Sequence, residues 1–451
     1  MAMQKKAADN IKEELKKRGV KTFQTLRGFK DYLPSEQAFW EEVFNETRAL
    51  ARQYSYSYID TPILEHIGLF KRSIGEHTDI VEKQMFVFKD AGGDNVALRP
   101  EGTASIARAY IQHGMFTEPQ PVRLWYWGPM FRYERPQTGR YREFYHAGFE
   151  SLGDSHPVID AQHVLIAYTL FQHFGVTPLI QINSIGHKEC RQEYIKKLSA
   201  HYRKNQKVLC QDCKKRLVKN TLRVLDCKED SCQPVKREAP QIVDNLCDEC
   251  RDHFVKVLEY LDESEVPYQL NPHLVRGLDY YTRTVYEFYP SSEASEGKSQ
   301  SSMGGGGRYD TLIEEMGGRP TPAAGFALGI ERVLLAIRDA GYTPEDFDKP
   351  DIFVAQLGDQ ARRQAMKLFE ELRKRNIRVA ELFSKDGLKG QLEQAARKKA
   401  RYTLIIGQKE VLDGTIIIRD MESGIQEIAD RKKVAVEIIK KLKGENGEEQ
   451  K

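Results

Sequence analysis

No stretch of this 451-residue chain approaches the ~20 consecutive apolar residues that span a bilayer. The first twenty residues also lack the apolar run of a secretory signal; AADNIKEELKKRG is polar and helix-prone. Together these absences predict a cytoplasmic protein without membrane contact. Net charge is small, +3, but unevenly spread. Residues 350–451 hold 22 Lys and Arg against 17 Asp and Glu, a local excess that fits contact with nucleic acid. The glycine run Gly304–Gly307 is not followed by Gly-Lys-Ser/Thr, which excludes a P-loop. Those glycines are expected to let backbone approach a ligand closely. Cysteine is scarce, seven residues, and six of them fall between Cys210 and Cys250. In a cytosolic chain such clustering points to metal before disulfides.

What is present describes a globular protein of two or three domains, 40% hydrophobic and 30% charged. The stretch Arg123–Glu150 reads as two antiparallel strands, with turn residues Pro136 and Gly139 between them. If the returning strand is regular, Arg140, Arg142, Phe144, His146, Gly148 and Glu150 share one face. Arg132 and Arg135 add charge near the loop, and the stretch contains no Lys. Arginine offers a rigid bidentate fork for phosphate or carboxylate, so the hairpin is expected to hold a polyanion in a fixed pose. A salt-bridged surface hairpin is the plainer alternative.

Upstream, Gly28 and Pro34 are expected to bracket a turn, and Ser35 to cap the amphipathic helix that follows, with Phe39, Val43 and Leu50 on its apolar side. In NVALRPEGTASIARAYI a strand runs into a helix starting near Ala104. Glu101 and Thr103 stand at that junction, either holding an ammonium group or capping the helix. The two CxxC pairs, Cys210/Cys213 and Cys247/Cys250, predict one tetrahedral Zn²⁺ site with a structural role. Cys227 and Cys232 are alternative ligands or plain thiols. Beyond them, LVRGLDYYTRTVYEFY contains a strand from Thr282 to Phe288, and Arg276 either pairs with a neighbouring acid or serves a site. AAGFALGIERVLLAIRDAG is a strand, then Gly329, then a helix with Arg332 in its first turn. From Pro350 onward strands and helices alternate as a compact α/β domain with a mixed sheet.

FRYERPQTGRYREF (Phe131–Phe144) resembles motif 2 of the class II aminoacyl-tRNA synthetases, in the version found in the histidyl-tRNA synthetase family. The resemblance extends from about Leu26 to Leu442. It takes in a motif 1-like helix, the segment LRPEGT, both histidine signatures (LVRGLDYY and GGGRYD) and a motif 3-like AAGFALGIER. It implies an α+β fold: an antiparallel catalytic sheet with a helical insertion, a C-terminal α/β anticodon-binding domain, and a homodimer. The expected boundaries are an extension at 1–24, a catalytic domain at 25–342 with a Cys-rich insertion at about 200–262, and a linker at 343–350. The anticodon-binding domain is expected at 351–443 and a disordered tail at 444–451.

The implied chemistry is ATP-dependent activation of L-histidine with Mg²⁺, then transfer to tRNA(His). Arg132 would hold the α-phosphate, Arg332 the γ-phosphate, and Arg276 the histidine carboxylate and the reacting phosphorus. Glu134 would face adenine, with Arg140 also on the ATP side. Glu101, Gly102, Thr103, Glu150, Tyr280, Tyr281 and Tyr309 would shape the amino-acid pocket, and Arg135, Gln137 and Arg140 would touch the acceptor end of tRNA. His146 stands where the family commonly has glutamine. A regulatory paralogue of the synthetase is the alternative, disfavoured because Arg132, Arg276, Arg332 and the C-terminal domain are all present.

Overall fold

The computed structural model describes residues 23–291, 302–344 and 349–446. The expected N-terminal extension therefore lies almost wholly outside the described residues, as does half of the linker. The chain forms two compact units, Met1–Pro344 and Glu345–Lys451.

The first unit opens with helix α1 (Pro34–Gln53). Its N-cap is Leu33, with no side-chain cap, and Ser35 lies inside the helix. Proline explains the shift: its preset φ and missing N–H suit the first helical position. Trp40, Val43, Leu50 and Ala51 face the core, whereas Phe39 stays half-buried beneath the Arg338 guanidinium.

An eight-stranded sheet forms the centre. Its order is β1 (Ser57–Tyr58), β5 (Val122–Phe131), β6 (Glu143–Leu152), β11 (Ala323–Gly329), β10 (Gly304–Arg308), β9 (Thr282–Pro290), β7 (Pro178–Ser184) and β8 (Gln269–Leu270). Only the two edge pairings, β1–β5 and β7–β8, are parallel. A small antiparallel sheet, β2 (Leu64–His66), β4 (Asn95–Leu98) and β3 (Val87–Lys89), precedes helix α2 (Thr103–Gln112).

Strand alternation divides the central sheet into two faces. Trp125 pairs with Phe149, and Phe149 stacks on Phe326 with centroids 5.0 Å apart, beside helix α3 (Pro157–His173). Tyr126 pairs with Gly148 and faces the other way, into a second core with Tyr280, Tyr281 and Tyr309. The glycine run is the middle strand β10. A Cβ on Gly306 would sit 2.1 Å from the Gly325 carbonyl oxygen, so the neighbouring strands crowd it.

Between β7 and β8 lies a helical region built on α4 (Lys188–Lys204), α5 (Gln211–Lys219) and α6 (Asp248–Glu263). One buried network ties it to the sheet. Arg308, fully buried, donates to Asp160 at 2.8 Å, and Asp160 also accepts from Thr284 and meets His253 of α6, both at 2.7 Å.

The second unit is a five-stranded mixed sheet in the order β13 (Val379–Glu381), β12 (Ile352–Gln356), β14 (Tyr402–Ile406), β15 (Thr415–Asp420) and β16 (Gln426–Asp430). Helices Asp359–Arg373, Leu388–Arg397 and Val434–Asn446 accompany it, and Val354, Leu368, Leu404 and Ile438 meet in its core. The last helix runs to Asn446, past its expected end near Leu442.

Candidate active site

A cavity of ≈ 300 Å³ opens in the first unit, walled by the loop after β5, strand β6, the segment before β9, and the end of β11. Arg132, Arg276 and Arg332, distant in sequence, all line it. Each is held by main chain or a carboxylate. Arg132 Nε donates to the Pro100 carbonyl at 2.8 Å. Arg332 donates to the carbonyls of Gly139 at 2.9 Å and Ser302 at 2.6 Å. Burial, then the nearby Arg140 cation, draws the Arg332 pKa down to about 10. Arg276 pairs with Glu287, whose charge is the main influence against burial, and the net direction is upward. So Arg276 does have a neighbouring acid, and both line the cavity.

The hairpin is less regular than its sequence pattern. The returning strand starts at Glu143, so Arg140 and Arg142 belong to the loop and not to the strand face. Pro136, and Gly139 at φ +71°, turn the chain too tightly for ladder pairing to continue. Arg140 still reaches the cavity and pairs with Glu134 at 3.4 Å. Arg142 instead stacks over Tyr133, 3.6 Å from the ring centroid. Arg135 and Gln137 are exposed on the loop and do not line the cavity.

At the other end stand two buried carboxylates. Glu101 accepts from the backbone N–H of Thr103 at 2.7 Å and Ala104 at 2.9 Å, so it caps α2 and lines the cavity at once. Thr103 Oγ1 donates to Glu150 at 2.7 Å, and Tyr309 donates to the same carboxylate. Burial pushes the Glu150 pKa up to about 8 against those two donors, and Glu101 is raised by the same cause. Tyr280 and Tyr281 line the cavity directly. Glu150 and Tyr309 sit one layer back, behind Thr103 and Tyr280. Gly102 is a spacer: a Cβ there would strike the Tyr126 ring at 2.4 Å.

His146 lies on the strand face that points into the cavity. Loss of solvent, then the cations Arg132, Arg332, Arg99 and Arg276, hold its imidazole pKa well below the ordinary value, so it is neutral at pH 7. Among the described residues, its Nδ1, the Tyr126 hydroxyl, Arg140 Nε and Arg276 Nε are buried without partners. Four orphaned polar atoms around one cavity are costly unless a ligand satisfies them.

Tyr126, Asp226 and Glu287 are among the cavity residues that escaped the sequence reading. Glu287 was findable as the acid on the face of β9 opposite Tyr286. Asp226, in an irregular segment beside Cys227, gave no pattern.

The cysteines correct an expectation. Cys210 and Cys213 do not converge with Cys247 and Cys250. Cys210, Cys213, Cys227 and Cys232 form one group, and Cys190, Cys247 and Cys250 join His187 in another. The reason is local: each CxxC starts a different helix, α5 or α6, and finds its companions near that helix end.

A sheet antiparallel through its centre, with a cation-lined cavity of this kind, places the protein among the class II aminoacyl-tRNA synthetases. The chain belongs to the histidyl-tRNA synthetase family, whose profile matches residues 28–333, and residues 351–442 match an anticodon-binding domain. It is 44% identical over 421 residues to a histidine–tRNA ligase of Dehalococcoides mccartyi, covering 93% of this chain and all of that one. A histidine–tRNA ligase of Natranaerobius thermophilus is 42% identical over 402 residues, 89% of this chain and 94% of the relative. Among solved structures, apo histidyl-tRNA synthetase of S. aureus superposes with a TM-score of 0.79 at 35% identity, covering 92% of this chain and 100% of the other.

Proposed function

We infer that the protein is a histidine–tRNA ligase. Its first half-reaction joins a carboxylate oxygen of L-histidine to the α-phosphorus of ATP and breaks the bond to the β-phosphate oxygen, releasing pyrophosphate. In the second, the terminal ribose hydroxyl of tRNA(His) attacks the adenylate carbonyl, loses its proton, and AMP leaves. The observation that carries this reading is the single cavity in which Arg132, Arg276 and Arg332 meet, ringed by unpartnered polar atoms.

Both steps build charge on phosphate or carbonyl oxygens, so fixed cations are the main catalytic requirement. Arg332 binds the γ-phosphate and Arg132 the α-phosphate. Arg276 meets the histidine carboxylate and the pentacoordinate phosphorus, and its pairing with Glu287 keeps it aimed. Glu101 and Thr103 take the α-ammonium group. Neutral His146, with a free ring nitrogen, contributes a hydrogen bond to the substrate. Glu150, Tyr309, Tyr280 and Tyr281 form the imidazole end of the pocket, and Gly102 gives Tyr126 room there. Glu134 and Arg140 flank the adenine side, and the exposed Arg135 and Gln137 contact the acceptor end. Mg²⁺ bound with the nucleotide would neutralise phosphate charge, and among the carboxylates lining the cavity Glu134 and Asp226 would supply it with protein oxygens.

A homodimer completes the proposal. Leu33, Tyr58, Leu64, Val87 and Phe88 are exposed apolar side chains in the N-terminal part of the first unit. No helix among the described residues is long and apolar enough to cross a membrane. The unpaired thiols suit the cytoplasm.

ATP–pyrophosphate exchange with each of the twenty amino acids tests the activity. Exchange driven by histidine alone is expected. A folded dimer giving none with any amino acid would overturn the reading.

A further inference from the structure

We propose that the helical region between β7 and β8 binds two zinc ions: one through Cys210, Cys213, Cys227 and Cys232, the other through His187, Cys190, Cys247 and Cys250. All seven cysteines are free thiols, and every one falls into these two groups. In each group the four ligand atoms lie within 4.8 Å of one another. A tetrahedral zinc with Zn–S bonds of about 2.3 Å sets its sulfurs roughly 3.8 Å apart. Cys210 Sγ and Cys227 Sγ are 3.9 Å apart. In the second group, His187 Nδ1 lies 3.0 Å from Cys190 Sγ, 3.2 Å from Cys250 Sγ and 4.0 Å from Cys247 Sγ. Quartets this tight enclose one ion each and leave no room for a multi-iron cluster.

The surroundings are those of metal ligands. In the first group Cys210 Sγ accepts the Cys213 N–H at 3.4 Å, and Cys232 Sγ accepts the Cys210 N–H at 3.2 Å. The second group repeats the pattern. Cys247 Sγ accepts the Cys250 N–H at 3.4 Å, and Cys190 Sγ accepts the Cys247 N–H at 3.2 Å. Cys210 and Cys247 also cap helices α5 and α6, where the N-terminal partial charge favours thiolate. His187 turns Nε2 to Glu189 at 3.2 Å and Nδ1 to the three sulfurs, the carboxylate–histidine arrangement that orients a metal-bound imidazole. With four protein ligands each, both sites are closed, which assigns them structural roles.

The two ions brace different things. The His187 site joins the start of α4, just after strand β7 of the central sheet, to the start of α6, and so closes the helical region at its base. The four-cysteine site fixes the segment beside the cavity. Cys227 follows Asp226, which lines the cavity, and Arg223 and Arg216 hold Asp79 at 3.1 and 3.2 Å. That second consequence rests on the proposed function; the metal content does not.

Native mass spectrometry of the full chain, purified without chelators, should show two zinc ions per chain. Cys213→Ser and Cys250→Ser should each lose one ion and keep the other. Cobalt exchanged into Cys250→Ser should give the spectrum of a four-sulfur site. A chain with no metal overturns the proposal, as does one ion per chain lost equally from both variants. Should a serine variant not fold, the wild-type chain decides. A thiol-directed mercurial should release two equivalents of zinc to a colorimetric chelator, and release of one or none refutes the pair of sites. These readings are independent of pyrophosphate exchange, so failure of the zinc proposal and failure of the ligase proposal are separable.

Discussion

Arg276 shows how much one side chain gains from its setting. Its sequence neighbours, LVRGLDYY, supply the residue and the turn. Its pairing with Glu287 and its place under Gly305 come from β9 and β10. Arg276→Ala should slow histidyl-adenylate formation by at least ~10², the scale for losing one preorganised charge; single-turnover kinetics near wild type would remove its assigned role. Glu150 makes a second residue-level prediction. Its pKa of about 8 means that much of it is protonated at pH 7 in the free protein. The substrate's imidazole is itself mostly neutral at pH 7, so a proton passed from Glu150 to the ring leaves little net release; calorimetry in buffers of different ionisation enthalpy should show almost none, and Glu150→Gln should weaken histidine binding. The same shift has a stability sign. The unfolded carboxyl ionises near the ordinary value and the folded one only near 8, so this group's contribution to stability falls as pH rises through that window.

Among the elements, the glycine strand and the buried Arg308 network decide whether the cavity has walls. A Cβ on Gly305 would lie 2.4 Å from the Tyr286 carbonyl oxygen and 2.7 Å from Arg276 Nη1. Gly305→Ala should destabilise the fold by about 1–3 kcal/mol, the usual cost of overpacking, and raise the KM for histidine more than that for ATP. Thermal melts with steady-state kinetics check both parts. Arg308→Met leaves Asp160 buried without its main cation, and a broken buried pair costs about 3–5 kcal/mol. Chemical denaturation should show a loss of that size. The motif 2 hairpin teaches the opposite lesson about patterns. Alternation read the strand correctly from Phe144 onward, but continued it through Arg142, where proline and glycine had already turned the chain into a loop.

For the whole molecule, the two units predict separable duties. A chain ending at Pro344 should retain histidine-dependent pyrophosphate exchange within about tenfold while charging tRNA(His) far more slowly, because anticodon contact would be lost; equal loss of both activities would argue against that division. The sequence by itself determined the family, the antiparallel core, the C-terminal α/β unit and the three arginines, because those are written in contiguous motifs and in side-chain periodicity. Tertiary structure alone decided which distant residues meet. It brought Tyr126, Asp226 and Glu287 to the cavity and set Glu150 and Tyr309 behind its wall. It also sorted seven cysteines and His187 into two groups where CxxC spacing had suggested one. Spacing along a chain constrains only near neighbours, whereas a four-ligand site is closed by helix ends that come together only when the fold does.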